Sequence, residues 1–381
     1  MLAPSLSTFR DEVRAFVSES LARRAASLDA EQTMPREVIQ TLGRSGYLGA
    51  VIGRRFGGQA RTPRELGVLH EELARVHGSL ENFLTVTSMC AVAIQRFADP
   101  AVATEWLPRM ARGEAIVAFA VTEPARESNV PDVQTLLQPD GDGWRVTGEK
   151  QWISFGQIAD AFLVLGRLNE QTLAFFIRRD TPGLEAHPIR DMLGLRGNAL
   201  ARIRFNNCRV PRGNALGRSF SGTAPAILFG FDEGRFATAW GSLGLAQGAL
   251  DLAVEHARTH YASGSRLCDH QLVQQMLAEM IVTVKAARLI CEDAADARQA
   301  VIPEMVGATL IAKYAASRAA RLASDRAVQI LGARGCHEET PASRFFRDAR
   351  IMEIIEGTSQ VHEIQIALDY INQSTVGASN S

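Results

Sequence analysis

Two hydrophobic rhythms divide the chain. Through the first 115 or so residues, apolar positions recur every three or four residues, the spacing that lines one face of a helix. Phe9, Val13, Phe16 and Val17 form such a stripe, with Thr8 placed as its cap and Asp11 three residues on. Pro35 opens "PREVIQTLGRSGYLGAVI" in the manner of a first helical turn, and glycines break it. A Gly-rich turn at 56–58 precedes a helix carrying Leu66, Leu69 and Leu73 on one face. "ENFLTVTSMCAVAIQRFA" is almost wholly apolar and predicts a buried helix, and "PAVATEWLPRMARG" predicts one more.

At Glu114 the rhythm changes. "AIVAFAVTEP", "GWRVTGEKQWIS", "AFLVLGRL", "LAFFIRRD", "GLEAHPI" and "ARIRFNNCRVP" are short, β-rich and separated by Gly, Pro, Asn and Asp turns. After Leu216 long helical patterns return, ending in "SQVHEIQIALDYIN". The pattern predicts a mostly helical α+β protein. Its expected parts are an N-terminal helical domain (1–115), a central β-barrel (116–217), a C-terminal four-helix bundle (218–374) and a flexible tail (375–381). A parallel α/β sheet needs strands alternating with helices, and this order does not supply them.

Composition narrows the classes. The 381 residues are 46% apolar and 22% charged with a net charge of −1, a globular balance without a field that favours nucleic acid or anionic membrane. Positive charge is nearly all arginine: Lys150, Lys285 and Lys313 are the only lysines, as a GC-rich genome would produce. Five scattered cysteines without CxxC spacing predict buried free thiols rather than zinc or disulfides. The absence of a signal-peptide pattern and of a long apolar run predicts a cytoplasmic protein, with no nucleic-acid or membrane partner.

Several chemistries lack their motifs. There is no HExxH for metal catalysis, so no metal is expected, and no GxSxG for a serine hydrolase. No GxGxxG follows a strand, which disfavours a Rossmann nucleotide site. Three segments remain: "VTEPARESN" (121–129), "KQWISFG" (150–156) and "EIIEGTSQ" (353–360). Each sets a short hydroxyl or a backbone amide beside an aromatic or an acid, a combination suited to a flat, hydrogen-bonding cofactor such as a flavin, with a base on its far side.

At these residues the chain resembles the acyl-CoA dehydrogenase family. "AVTEP", "WIS", "RFNNCRVPRGNALG", "VQILGARGC…FRDARI" and "EIIEGTSQ" fall in the family's order, and the likeness spans nearly the whole length. Around "DHQLV", "PEMVGATLIAKYAA" and "RDARIMEIIEG" it is most similar to acyl-carrier-protein dehydrogenases of polyketide extender-unit biosynthesis. The resemblance implies the family fold (helical bundle, β-barrel, helical bundle) and FAD-dependent α,β-dehydrogenation of a short acyl thioester on carrier protein or CoA. Glu356 would remove the α-proton while the β-hydride passes to flavin N5. Arg235 and Gly357 would lie on the substrate, and Ser128 near its pantetheine.

Phe119, Val121, Thr122, Trp152, Ser154 and Thr358 would contact FAD. Gln329, Gly332 and Gly335 would hold the pyrophosphate of an FAD bound mainly by a neighbouring subunit, which implies a homo-oligomer, a dimer or a dimer-of-dimers tetramer. An electron-transfer flavoprotein is the expected acceptor. By themselves "EGTS" reads as a glutamate capping or pairing near a helix end, and a lone tryptophan as barrel core; the company of the other motifs favours the base and the flavin contact.

Departures from the family pattern also stand out. Gly234 occupies the place, just before Arg235, where some members carry the base instead, which leaves Glu356 alone in that role. "ARESN" replaces the usual small residue and Gly-Ser-Asp, so Arg126, Glu127 and Asn129 alter the loop around Ser128. His260 and Ser263 replace an arginine and a phenylalanine that grip FAD, a loss of about 1–3 kcal/mol for the charged contact unless Arg258 or Arg266 compensates. Two other functions fit the same fold: a flavin oxidase or monooxygenase, and a non-catalytic scaffold that has lost FAD.

Overall fold

The computed structural model describes residues 5–124, 132–219 and 223–378. Ser128, with Arg126, Glu127 and Asn129, lies outside the described residues. Six α-helices come first: α1 Leu6–Phe16, α2 Ala25–Glu31, α3 Arg36–Arg44, α4 Pro63–Ala74, α5 Gly78–Phe97 and α6 Pro100–Ala111. Ser5, rather than Thr8, caps α1: its hydroxyl accepts from the Thr8 N–H at 3.2 Å, and Thr8 is already inside the helix. A capping box between Thr62 and Glu65 starts α4. As its composition predicts, α5 is buried over most of its length.

The middle of the chain forms a mixed sheet. Its strands are β1 Val117–Ala120, β2 Leu136–Asp140, β3 Gly143–Ile153, β4 Ala161–Leu168, β5 Gln171–Arg178, β6 Leu184–Pro188, β7 Ala201–Pro211 and β8 Ala215–Ser219. They run in the order β6-β7-β3-β2-β4-β5-β8, with β1 parallel to β4. Continuous apolar runs in β4 and β5 are buried on both faces, whereas β7 alternates Ile203 and Phe205 inward with Arg202 and Arg204 outward.

The C-terminal helices are α7 Pro225–Thr259, α8 Gln271–Ala300, α9 Met305–Leu331, α10 Ala333–Cys336, α11 Pro341–Met352 and α12 Ser359–Ala378. A hairpin of two short strands, β9 Tyr261–Ala262 and β10 Ser265–Arg266, joins α7 to α8. The long α7 packs on α4, α5, α8 and α9, so it joins the two helical layers. Of the free cysteines, Cys90, Cys208 and Cys291 are buried as expected, whereas Cys268 is half-buried and Cys336 exposed.

Buried charges tie these layers together. Glu71 and Glu72 are buried on α4. Glu71 accepts from Arg10 at 2.5 Å and Arg288 at 2.6 Å, and Glu72 from Arg14 at 2.9 Å and Arg75 at 3.0 Å, which links α1, α4 and α8. A second pair organises the sheet. Lys150, fully buried on β3, donates to the Val121 carbonyl at 2.9 Å and to Glu123 Oε1 at 2.8 Å. Glu123 also accepts from Thr135 and from the Gln134 N–H, and the Gln151 N–H reaches the Thr122 carbonyl at 2.9 Å. Burial pushes the Lys150 ammonium down to about 8, with Glu123 opposing the shift. Burial pushes the Glu123 carboxyl up, but Lys150 and the hydrogen bonds outweigh it and hold that carboxyl below its ordinary value. The pair therefore remains ionised at neutral pH and fixes residues 121–123 against β3.

Lys150→Met should strand Glu123 as an unpaired buried charge, at a cost of about 3–5 kcal/mol. The expected result is a lower urea midpoint at pH 7 by circular dichroism; an unchanged midpoint would exclude this anchoring role.

Candidate active site

Between the end of α11 and the start of α12, six residues turn the chain. Glu356 has φ +54° and Gly357 has φ +99°, consecutive left-handed residues that reverse the backbone. Thr358 precedes α12, its carbonyl accepting from the His362 N–H and its hydroxyl 3.4 Å from the Val361 N–H. Three donors hold this turn by its carbonyls. Lys313 Nζ donates to the Gly357 oxygen at 2.7 Å, while His362 Nε2 and Arg235 Nε lie 3.2 Å and 3.4 Å from the Glu356 oxygen.

The carboxylate is left differently. Glu356 Oε2 is buried and has no hydrogen-bond partner among the described residues. It lies against Gly234 of α7: a Cβ at that glycine would stand 2.5 Å from Oε2 and 2.8 Å from the Met89 sulfur of α5. The position where some family members place an alternative base is therefore filled by the Glu356 carboxylate itself. Burial raises this carboxyl to about 7, against the lowering charges of Arg235 and Lys313, and the Glu81 charge adds to the rise. Burial also pushes Lys313 down to about 8 and His362 down to about 4, so His362 is neutral at pH 7.

A second group gathers at the ends of β1 and β3. Val121 and Thr122 are fastened to β3 as described above, and Ser154 sits half-buried in the turn after it. Trp152 is 40% exposed with φ +61°, so it is not barrel core. Left-handed backbone is unusual for a bulky residue and turns the indole outward. A cleft of about 460 Å³ opens there, lined by Gln151, Trp152, Ile189, Arg202 and Arg204 among others. Phe119 packs on α7 at Gly230, one turn before Gly234, and edge-on against Phe231 at 5.6 Å, which brings the β1 end next to the Glu356 turn.

Helix α11 connects the two groups. Asp348 Oδ1 accepts from the Leu195 N–H at 2.6 Å, and Asn198, three residues on, accepts the Phe155 N–H at 2.6 Å through its carbonyl. The loop before β7 thus ties the "WIS" turn to the helix that ends at Glu356.

Gln329, Gly332 and Gly335 stand apart. Gln329 is sixteen residues beyond Lys313 on α9, which is ~24 Å at 1.5 Å per residue. Gln329 and Gly332 are exposed, and nothing lies within 4 Å of where a Gly332 Cβ would be, so the turn is open. His260 stacks on His256 at 3.7 Å between centroids and accepts from Arg334 at 2.7 Å, while Ser263 occupies the β9–β10 turn at φ +51°. Arg334 therefore brings a guanidinium to His260, whereas Arg266 faces Asp269. An outward indole at the β3 end and, separately, an open glycine turn beside an arginine are compatible with the family's flavin.

Lys313, His362, Arg334 and the Lys150–Glu123 pair were not singled out as site residues from sequence. Lysine scarcity was a usable signal: of three lysines, two are fully buried and hold backbone carbonyls at this site. A compact ammonium fits such places better than a planar guanidinium. Removing the Lys313 charge should raise the Glu356 carboxyl further. In Lys313→Met, the infrared band of the protonated acid, assigned by its loss in Glu356→Gln, should persist to higher pH than in the wild type; an unmoved titration would exclude this coupling.

Three family models cover most of the chain: the acyl-CoA dehydrogenase N-terminal domain at residues 4–114, the middle domain at 118–208 and the C-terminal domain at 222–370. The short-chain specific acyl-CoA dehydrogenase of Rattus norvegicus mitochondria is 33% identical over 364 residues, 94% of this chain and 88% of that protein. Two solved structures are similar throughout. FkbI, described for biosynthesis of the methoxymalonyl extender unit of the polyketide Fk520, has a TM-score of 0.84 at 29% identity and covers 97% of this chain and 99% of its own. The prolyl acyl carrier protein oxidase AnaB has a TM-score of 0.91 at 26% identity, covering 97% and 100%. The mostly helical fold, the sheet between its helical layers and these matches agree: the chain belongs to the acyl-CoA dehydrogenase family, oxidoreductases that act on acyl thioesters.

Proposed function

We propose that this chain carries out α,β-dehydrogenation of a short acyl thioester, with Glu356 as the base. The observation that carries this reading is the buried, unpartnered Oε2 of Glu356 beside Gly234. An α-proton next to a thioester carbonyl is a weak acid, and a carboxylate in water is too weak a base to take it. Burial raises the carboxyl to about 7, close to the pH at which a general base works best. The Glu356 N–H is the chain's donor to the enolate oxygen that forms as the proton leaves. Lys313 and His362 hold the carbonyls of residues 357 and 356, and so orient that N–H and the carboxylate together. Arg235 and Gly357 border the acyl thioester, and Ser128 is assigned to its pantetheine arm.

Trp152, Ser154, Phe119, Val121 and Thr122 are the residues assigned to the flavin ring of FAD, and Thr358, at the start of α12, to its pyrophosphate portion. Gln329, Gly332, Gly335 and Arg334 would serve the FAD of a neighbouring subunit. When bound, FAD supplies the acceptor for the β-hydride. Exposed apolar side chains on α8 (Leu272, Ile281, Val282, Leu289) and α12 (Val361, Ile364, Leu368) support a homo-oligomer, a dimer or a dimer-of-dimers tetramer. Similarity to FkbI and AnaB supports a carrier-protein thioester and a place in extender-unit chemistry. An electron-transfer flavoprotein is the proposed acceptor, and the cytoplasm the proposed location. No helix among the described residues is long and apolar enough to cross a membrane.

AnaB, described as an oxidase, favours a second reading in which oxygen reoxidises the flavin. Rapid oxygen consumption after anaerobic reduction would select it over the dehydrogenase.

Glu356→Gln should keep FAD and the fold while abolishing flavin bleaching by acyl thioesters; retained bleaching would place the base elsewhere. A protonated carboxyl cannot accept the α-proton, so the anaerobic reduction rate should rise with pH through about 7. A flat profile from pH 6 to 8 in stopped-flow absorbance would contradict that role.

A further inference from the structure

A polar seam runs from Glu356 into the protein between α5 and α7. Gly234 of α7 faces the Glu356 carboxylate, and Gly241 faces that of Glu81, where a Cβ would stand 2.5 Å from Glu81 Cδ. Seven residues are two helical turns, so the two carboxylates lie on one side of α7 about 10 Å apart along its axis. Thr238 of α7 lies between them, four residues after Gly234 and three before Gly241. On α5 the same face carries Glu81, Thr85 and Ser88, followed by Met89 against Gly234. Glu81, Thr85, Ser88 and Thr238 are all buried.

The hydrogen bonds along this seam are incomplete in one direction. Glu81 Oε1 is well supplied, by Thr85 Oγ1 at 2.5 Å and His70 Nδ1 at 3.0 Å. Glu81 Oε2, Ser88 Oγ and Thr238 Oγ1 are buried without a partner among the described residues. Threonine within a helix ordinarily satisfies its hydroxyl on a carbonyl one turn back, and Thr238 does not. An unpaired buried polar group costs roughly 1–3 kcal/mol, so a seam with three of them is poorly matched to a plain alkyl chain. What Glu81 Oε2 lacks is a donor, and a carboxylate-bearing acyl group would meet like charge there.

We propose that Glu81, with Thr238 and Ser88, determines specificity for an acyl group whose far end donates a hydrogen bond, a hydroxyl or ammonium, instead of an alkyl or carboxylate terminus. This rests on the dehydrogenase reading of Glu356. Along the α7 axis, the ~10 Å separation less a ~3 Å contact at each carboxylate is ~4 Å, the reach of a three-bond spacer from the α-carbon to the donor.

The test compares freshly prepared 4-hydroxybutyryl- and butyryl-pantetheine, by anaerobic flavin reduction and by calorimetric binding to Glu356→Gln. Wild type should favour the hydroxy substrate in kcat/KM by at least about tenfold, since a site built to bond a hydroxyl rejects the analogue lacking it. Glu81→Leu should abolish or invert that preference, and Thr238→Val, of similar volume, should reduce it, which preserves the test if Glu81→Leu does not fold. A wild-type preference for butyryl, or a preference unchanged in both variants, overturns the assignment. If neither thioester bleaches the flavin, the dehydrogenase reading fails by itself, and the hydroxy-to-butyryl binding ratio on Glu356→Gln and its Glu81 double variants decides the role of Glu81.

Discussion

One carboxylate kept dry and unpaired, with cations close by, is the constraint around which the site is arranged. Lys313, Arg235 and His362 all approach the Glu356 turn, yet each points at a main-chain carbonyl instead of the carboxylate. A direct ion pair would have held the carboxyl low and the anion satisfied, which would not suit the base proposed at this position. Spending those donors on carbonyls keeps the backbone in its left-handed turn and leaves Oε2 free. Gly234 completes the arrangement by omission, since any side chain there would occupy the space of the carboxylate.

The surrounding fold keeps that turn in register with the opposite wall. Asp348 near the end of α11 holds Leu195, Asn198 holds Phe155, and the Lys150–Glu123 pair holds residues 121–123 to β3. These are buried polar contacts, strong when satisfied and expensive when broken, so they resist the sliding that a purely apolar interface tolerates. They also assign structural work to parts of two motifs. The acid of "VTEP" is an anchor for its neighbours, and "RDARI" couples α11 to the loop before β7, while Arg347 beside Asp348 pairs with Asp29 of α2.

Glu356 and Trp152 were legible because each belongs to a short local pattern whose oddity survives without a structure: an acid after two isoleucines, an aromatic at a strand end. Lys313, His362, Glu81 and Arg334 were not, because each acts across a helix interface. Neighbouring positions on those helices look equally suitable until the packing selects one face. The cap of α1 shows the same limit at small scale, since Ser5 and Thr8 are both good caps and only the helix start decides between them. The guanidinium beside His260 belongs to Arg334, which comes from 74 residues away, so no local pattern announces it.

The sequence by itself determined the order of helices, strands and helices, the buried character of α5, and the candidate base. These depend on periodicity and turn chemistry within a few residues. Tertiary structure alone decided which polar atoms go unpaired. Burial and hydrogen bonding are properties of what faces a group, and what faces Glu356 and Glu81 is two glycines, two turns apart on a helix more than a hundred residues distant in the chain from either end of the seam.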